Sequence, residues 1–331
     1  MTPVKWVYSF LEKYRYKMAA GLLMVTGIAL LTIVNPYISG RIVDDVITGG
    51  NYKLLPVLIG CLLGVVALKG ILRYASQVMF EICSQGVLYS MRDAVYRKLL
   101  QEDFSFYNKN RTGDLMSRQT GDMDAIRHFI AYIIYSVYEN ILLLSFALIM
   151  IFTVNVKLAL AMLVVLPFTA LTTYGQSKSV RPAFMKIRQQ FSSLNTFVQE
   201  NISGNRVVKA FAREDFEIEK FNKENDAYRD AELNAAAIWK KYVPIFEFLS
   251  NILTVVLMLY GGYMVIQGEI TMGNLVTVNG YLWMLTVPLR MAGWWINDIH
   301  RFTTSAEKIY TTYSQEPEIQ EPQQPIVRKH F

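Results

Sequence analysis

The chain has 331 residues, of which 53% are hydrophobic, and it carries a formal net charge of +6. The hydrophobic residues gather into six long runs, which the core of a soluble protein does not need. The basic residues concentrate in the polar segments between these runs, where membrane topology explains them, so we expect no nucleic-acid partner.

Each run approaches or exceeds the roughly 20 residues that a helix needs to cross a bilayer. The gaps after the first, third and fifth runs hold 13, 3 and 4 residues, whereas those after the second and fourth hold 54 and 67. We therefore predict an all-α membrane protein with six transmembrane helices and long cytoplasmic helical extensions. The six runs cover residues 18–40, 54–74, 129–154, 158–175, 243–267 and 272–296.

The placement of the basic residues predicts the orientation of the chain. Only Arg41, Lys53 and Lys157 lie in the three short loops. By the positive-inside rule, the N-terminus, both long loops and the C-terminus are cytoplasmic. We expect a multi-pass protein of the cell membrane, plasma or inner.

The segment before the first run, residues 1–17, alternates aromatic side chains such as Trp6 with basic ones such as Lys5. This pattern is typical of an interfacial helix, and it predicts an elbow helix in contact with membrane lipid of the inner leaflet.

The two long gaps predict helical extensions beyond the membrane. A helical pattern continues from Tyr74 to about Gln101 without a Pro or paired Gly, and a helix over about 113–128 returns. The second gap repeats this plan, with helices over about 176–201 and 215–241. A membrane domain over 18–314 is then followed by a Pro- and Gln-rich linker over 315–331.

The far end of each extension carries aromatic side chains, including Phe104, Phe106 and Phe211, that are unusual on a free surface. They suit tips that insert into grooves on a partner, because aromatic and Arg side chains dominate binding energy at interfaces. We expect Gly113 and Gly204 to permit tight turns beside the tips.

Three segments carry a resemblance to a known family: ISGRIVDDVI at 38–47, Phe106-Tyr107 with TGDLMSR at 112–118, and GNRVVKAFARE at 204–214. Over essentially its whole length the chain resembles the transmembrane domain of type I (also called type IV) ABC exporters, the multidrug and lipid A flippase-like transporters. The resemblance implies a domain-swapped dimer, a homodimer or heterodimer, in which the fourth and fifth spans cross to the second transmembrane subunit.

The resemblance also implies that the tips are coupling helices, over about 105–110 and 203–211, which contact ABC nucleotide-binding domains. ATP and Mg would be held by those domains. The coupling residues that it implies are Ser105, Phe106, Tyr107, Asn108, Asn110, Gly113, Gly204, Arg206, Val207, Lys209 and Phe211.

One departure from the family concerns ATP. The sequence contains no Gly-x-x-x-x-Gly-Lys-[Ser/Thr] phosphate loop and no Leu-Ser-Gly-Gly-Gln-like signature. We therefore expect this chain to have no catalytic residues, no metal site and no cofactor of its own. We interpret it as a transmembrane domain cut in the linker to an ATPase domain.

Polar residues inside predicted spans are the candidates for a substrate cavity, because they are costly in a membrane. Glu139 is either a cavity carboxylate for a cationic substrate or a proton, or a partner in an interhelical hydrogen bond. The other cavity candidates are Asn140, Asn279 and Trp283. We expect Lys69 and Arg73 to extend toward lipid headgroups rather than to contact substrate.

Three functions remain open from the sequence. The first is the permease domain of an ATP-driven exporter of drugs, lipids or peptides. The second is a self-sufficient secondary transporter or channel without an ATPase, against which the long extensions argue. The third is a half-size permease that recruits a separate ATPase polypeptide. Neither the substrate nor the choice between homodimer and heterodimer is specified by these residues.

Overall fold

A computed structural model describes residues 2–317, except for the side chain of Arg181. It confirms the all-α fold class, since no strand occurs in that part of the chain. The α-helices are α1 (Pro3–Leu11), α2 (Arg15–Arg41), α3 (Leu55–Gln101), α4 (Phe104–Lys109), α5 (Thr112–Ser117), α6 (Met123–His128), α7 (Ile134–Val154), α8 (Val156–Leu163), α9 (Val165–Ala210), α10 (Glu214–Val256), α11 (Gly262–Ile266) and α12 (Met272–Ser314). Short π-helical segments cover Ile42–Thr48, Arg118–Asp122, Phe129–Ile133 and Leu257–Gly261.

Five helical segments among the described residues are long and apolar enough to cross a membrane, and they contain the first four predicted runs and all but the last residue of the fifth. The sixth run lies on α12, which is continuous but is not among the five. Polar side chains such as Asn274 and Asn279 lower its hydropathy. The sixth span therefore stays a prediction. Most of the linker over 315–331 lies outside the described residues.

The described residues form two compact units. The first unit comprises residues 2–150, 272–277 and 294–317, and the second comprises residues 151–271 and 278–293. The helix α12 contributes to both.

The long helix α3 in the first unit begins and ends as the sequence predicts. It starts with a Pro in its first turn and runs unbroken for 47 residues. Beyond the predicted span, Phe80, Cys83, Val87, Met91 and Val95 recur every three or four residues and are buried. This stripe forms part of the core of the first unit. The most apolar window of α3, by contrast, is not buried within the chain, as expected for a surface that contacts lipid.

The elbow helix α1 has a protein-facing side that the sequence did not predict. Trp6 is 4% exposed, and its ring lies 4.9 Å from the ring of Tyr313 and 5.9 Å from that of Tyr310, both on α12. The neighbouring Tyr8 is exposed. The helix therefore packs on the end of α12 with one face and leaves the opposite face exposed, and its contact with the membrane surface stays a prediction.

The second unit is dominated by α9 and α10, which pack along one another as a long helical hairpin. The chain turns between them at Ala212, whose φ of 46° lies in the left-handed region. The predicted leading and returning helices of this extension are confirmed. The expected turn at Gly204 is wrong, because that residue lies inside α9, before the helix ends.

Candidate functional site

The tip of the first extension is the short helix α4, and it is built to present an aromatic side chain. Asp103 caps the helix, its Oδ1 accepting a hydrogen bond of 2.9 Å from the backbone N–H of Phe106. The Phe104 ring is 88% exposed, as expected, but the expectation that Phe106 is also exposed is wrong: its ring is 2% exposed and anchors the helix. The Tyr107 hydroxyl donates to the carbonyl oxygen of Leu99 at 2.7 Å, which ties α4 to the end of α3.

The other residues predicted for the first tip are Asn110, Ser105, Asn108 and Gly113, and they differ in burial and in hydrogen bonding. The Asn110 side-chain amide donates to the carbonyl oxygen of Phe106 at 3.0 Å and closes the end of α4. Ser105 is half-buried and Asn108 is exposed. Gly113 was expected to provide a tight turn, but it lies inside α5 with no positive φ, and a side chain there would meet open space. That expectation is therefore wrong.

The return segment of the first extension is hydrogen-bonded to the C-terminal part of α12, and sequence reasoning missed this connection. Arg118 Nη1 donates to Thr312 Oγ1 at 2.5 Å, and Ser305 Oγ donates to Asp122 Oδ1 at 2.8 Å. The ammonium of Lys308 lies 3.7 Å from the same Asp122 oxygen. These partners are more than 180 residues apart in the sequence, so no local sequence pattern predicts the contacts between them. These contacts join the return segment directly to α12.

The predicted second coupling segment is the end of α9 rather than a separate short helix. Arg206, Val207 and Lys209 are exposed on its last turns, and Phe211 follows with 74% of its surface exposed. The Lys209 ammonium lies 3.3 Å from Glu214 Oε1 across the turn. Each tip therefore carries a largely exposed Phe ring, Phe104 on the first and Phe211 on the second.

A polar pair lies inside the predicted membrane region of the first unit. The guanidinium of Arg73 donates two hydrogen bonds to the carboxylate of Glu139, of 2.6 Å to Oε2 and 2.5 Å to Oε1. The prediction that Arg73 reaches toward lipid headgroups is wrong, because the buried carboxylate of Glu139 on the next predicted span, in α7, pairs with it. Of the two interpretations of Glu139, the structure supports the interhelical hydrogen bond.

An aromatic group includes the rings of Tyr135 and Tyr132, four and seven residues before Glu139 on the third predicted span. Tyr132 stacks on His128 with 5.6 Å between ring centroids, and it meets Trp294 edge-on at 5.5 Å. Tyr135 lies 5.3 Å from Tyr132. His128, which stands alone in sequence at the entrance to the third span, is therefore part of an aromatic group.

The other cavity candidates do not join Glu139. The Asn140 side chain turns back onto its own helix and donates to the carbonyl oxygen of Ser136 at 2.9 Å. Asn279 and Trp283 lie one turn apart on the part of α12 that belongs to the second unit, and both are exposed. Between residues 2 and 317, no group of three His, Cys, Asp or Glu side chains is placed to hold a metal ion.

A family model and several individual proteins that match this chain all belong to ABC transporters. The family model for the ABC transporter transmembrane region matches residues 18–289. A Bacillus subtilis protein named "Uncharacterized ABC transporter ATP-binding protein YknU" is 36% identical over 92% of this chain and 52% of its own length. An "ATP-dependent lipid A-core flippase" of Syntrophus aciditrophicus is 26% identical over 92% of this chain and 50% of its own length.

A third relative, the "Probable multidrug resistance ABC transporter ATP-binding/permease protein YheI" of Bacillus subtilis, is 26% identical over 96% of this chain and 54% of its own length. The chain thus spans about half the length of the curated relatives it matches. It is a multi-pass α-helical membrane protein, and it belongs to the family of ABC transporter transmembrane regions.

Proposed function

We propose that the chain is the permease domain of an ATP-driven exporter that moves hydrophobic or amphipathic substrates outward by alternating access. The names of the relatives, which refer to multidrug resistance and to a lipid flippase, support this class of substrate. The cell membrane is the proposed location, with the N-terminus and both extensions in the cytoplasm.

The observation that carries this proposal is the construction of the tips. The capped helix α4 holds Phe104 away from the protein, and the turn after α9 does the same for Phe211. An exposed aromatic ring on a rigid mount is costly in water and useful at an interface. We assign the grooves that receive these rings to ABC nucleotide-binding domains, which would hold ATP and Mg outside this chain.

The proposed exporter function also requires a partner chain in the membrane. The exporter would contain a second transmembrane subunit, identical or related, so that two permease domains enclose the substrate path. Nucleotide-driven movement of the ATPase domains would reach the membrane through α4, through the end of α9 and through the contacts of Asp122 with α12.

The test is transport in inverted membrane vesicles from cells that produce the native polypeptide with any ATPase subunit it assembles with. We expect a fluorescent amphiphile to accumulate with ATP but not with a non-hydrolysable analogue. Phe104→Ala should abolish accumulation, whereas replacement of Tyr89, another largely exposed aromatic residue, on α3, by Ala should not. Accumulation driven by an ion gradient without ATP would contradict the proposal and favour a secondary transporter.

A further inference from the structure

The last turns of α12 are held on two sides within the first unit. On one side, the first extension contacts them through the hydrogen bonds from Arg118 to Thr312 and from Ser305 to Asp122. On another side they meet the elbow helix α1, which comes from the opposite end of the described chain. The second of these contacts has no role in the proposed function as stated so far, and its geometry suggests one.

The contact between α1 and α12 centres on the indole ring of Trp6. This ring lies 4.9 Å from the ring of Tyr313, at an interplanar angle of 37°, and 5.9 Å from the ring of Tyr310. Phe10, one turn further along α1, meets Trp6 edge-on at 5.1 Å. Because a helix turns about 100° per residue, the two tyrosines lie roughly 140° around α12 from the residues that the first extension contacts. The two sides of α12 are therefore held separately.

The helix α1 depends on this packing for its own structure. It has nine residues, fewer than the roughly 12 to 15 that an isolated helix needs to be even marginally stable in water. Trp6 and Val7 are 4% and 1% exposed, and both belong to the core that includes Val87 and Met91 of α3. The opposite face of α1 carries the exposed Tyr8. One face of α1 thus joins α3 to α12.

A second contact fixes the other end of this connection. Tyr14, at the junction between α1 and α2, packs directly on Gly86 of α3, where an added Cβ would overlap the tyrosine hydroxyl oxygen. The segment from Trp6 to Tyr14 is therefore attached to α12 at one end and to α3 at the other. It crosses the first unit as a strap, a name that we use for residues 3–14.

The part of α12 under the strap is the part of a helix that opens most easily. The last four carbonyl groups of a helix have no partner within it, so the last turn frays unless other contacts hold it. Here α12 ends at Ser314, one residue after Tyr313. The residues that follow are those that we interpret as a linker to an ATPase domain.

We propose that the strap keeps the last turn of α12 helical and thereby sets the direction in which the chain leaves the membrane domain, with Trp6 as a positioning residue. This inference rests on the proposed function, because the segment so directed is the interpreted linker to the ATPase domain. Movement of that domain then displaces the end of α12 as a whole and does not unwind it. Trp6 acts through α12 and has no contact with substrate or nucleotide in this proposal.

The first test is hydrogen–deuterium exchange of the full chain in phosphatidylcholine nanodiscs without nucleotide. Trp6→Ala should make the amides of residues 310–314 exchange at least about fivefold faster, because two ring contacts are lost. Trp6→Phe keeps an aromatic ring at this position and should stay within about twofold of the original rate. Tyr8→Ala, on the exposed face of the same helix, is the matched control and should change nothing.

The second test is the amount of amphiphile accumulated per ATP hydrolysed, measured in the inverted vesicles described above. Trp6→Ala should lower this ratio about twofold or more while ATP hydrolysis continues. Trp6→Phe and Tyr8→Ala should keep it. A merely structural role would reduce the amount of folded protein, and so lower accumulation and hydrolysis together with no change in their ratio.

A variant on the other side of the contact guards against misfolding, because Trp6 belongs to a core. Tyr313 is half-buried on the last turn of α12, so Tyr313→Ala removes the contact at the edge of the unit. It should speed exchange over residues 310–314 and lower the transport ratio in the same direction as Trp6→Ala. The double variant should be little worse than Trp6→Ala alone, because both changes remove one shared contact.

Three results would overturn the proposal: unchanged exchange in both Trp6→Ala and Tyr313→Ala, an equal effect of Tyr8→Ala, or faster exchange with an unchanged transport ratio. Failure of the exporter function is distinguishable from these results. It would appear in the chain without substitutions, as accumulation that does not depend on ATP, whereas failure of the strap would appear only in the variants.

Discussion

Arg73 and Glu139 lie on successive predicted spans and share two hydrogen bonds, of 2.6 and 2.5 Å, although 66 residues separate them in sequence. Glu139 is 7% exposed, so an unpaired charge there is costly. We expect Arg73→Met to lower the free energy of unfolding by about 3 kcal/mol. The double variant Arg73→Met/Glu139→Met should regain most of that loss, measured by thermal unfolding in nanodiscs.

A double variant as unstable as the single one would show that the pair itself is not the source of the loss. Exposed Arg97 and Asp93 form an i, i+4 pair on α3 and provide the control. Replacing Arg97 should leave the thermal unfolding temperature essentially unchanged, because solvent screens an exposed pair.

Gly40 and Gly273 bring α2 and α12 into backbone contact. A Cβ on Gly40 would lie 2.5 Å from the carbonyl oxygen of Gly273, and a Cβ on Gly273 would lie 2.5 Å from Oδ2 of Asp44. Asp44 Oδ1 also accepts a 2.7 Å hydrogen bond from the Gly273 N–H. Either Gly→Ala change should cost about 2 kcal/mol and lower the apparent melting temperature by about 4 °C.

Gly60 is the matched control for this contact, because it lies within α3 and a Cβ there would meet open space. Gly60→Ala should leave the melting temperature unchanged or raise it, since Ala is the better helix former. Equal losses in Gly40→Ala and Gly60→Ala would contradict the close approach of α2 and α12.

Ala212 turns the chain between α9 and α10 with a φ of 46°, a conformation that costs a residue with a Cβ about 1 kcal/mol. Ala212→Gly should therefore stabilise the second tip. The amide of Arg213, which donates to the carbonyl oxygen of Val208 at 3.1 Å, should exchange with deuterium about fivefold more slowly.

Ala236→Gly, an exposed position in the middle of α10, should have the opposite effect and destabilise its helix by about 1 kcal/mol. Faster exchange at Arg213 in the Ala212→Gly variant would show that the turn does not have this backbone conformation.

Asp122 links the return segment of the first extension to α12 through Ser305 and Lys308. Its side chain is mostly buried, so Asp122→Ala should cost about 1 to 2 kcal/mol. Hydrogen–deuterium exchange should report lost protection over Met123–His128. Asp93→Ala, at an exposed ion pair on α3, should leave these amides unchanged, and an unaltered exchange pattern in Asp122→Ala would contradict the link.

The sequence predicts the parts of this fold that depend on local pattern. The unbroken course of α3 from Leu55 to Gln101 follows from helical periodicity without a helix breaker, and the exposed rings of Phe104 and Phe211 follow from their place at the ends of the extensions. Helix length and hydropathy depend on residues that are close together in the sequence, so the sequence alone predicts them.

Contacts between distant residues could not be predicted in the same way. Arg118 meets Thr312 across 194 positions, and Arg73 meets Glu139 rather than lipid, because packing of separate helices decides these partners. The turn at Ala212 was also missed. Glycine is the favoured residue for a left-handed φ, and the chain uses an alanine there instead.

The central claim is that the tips contact an ATPase domain, and site-specific photo-crosslinking in native membranes tests it most directly. A benzophenone-bearing amino acid would replace Phe104, and separately Phe211, with Tyr89 as the exposed control position. We predict that both tip positions crosslink to a polypeptide segment that binds ATP, and that position 89 does not. Crosslinks from both tips to lipid alone, or to no ATP-binding segment, would contradict the proposed exporter function.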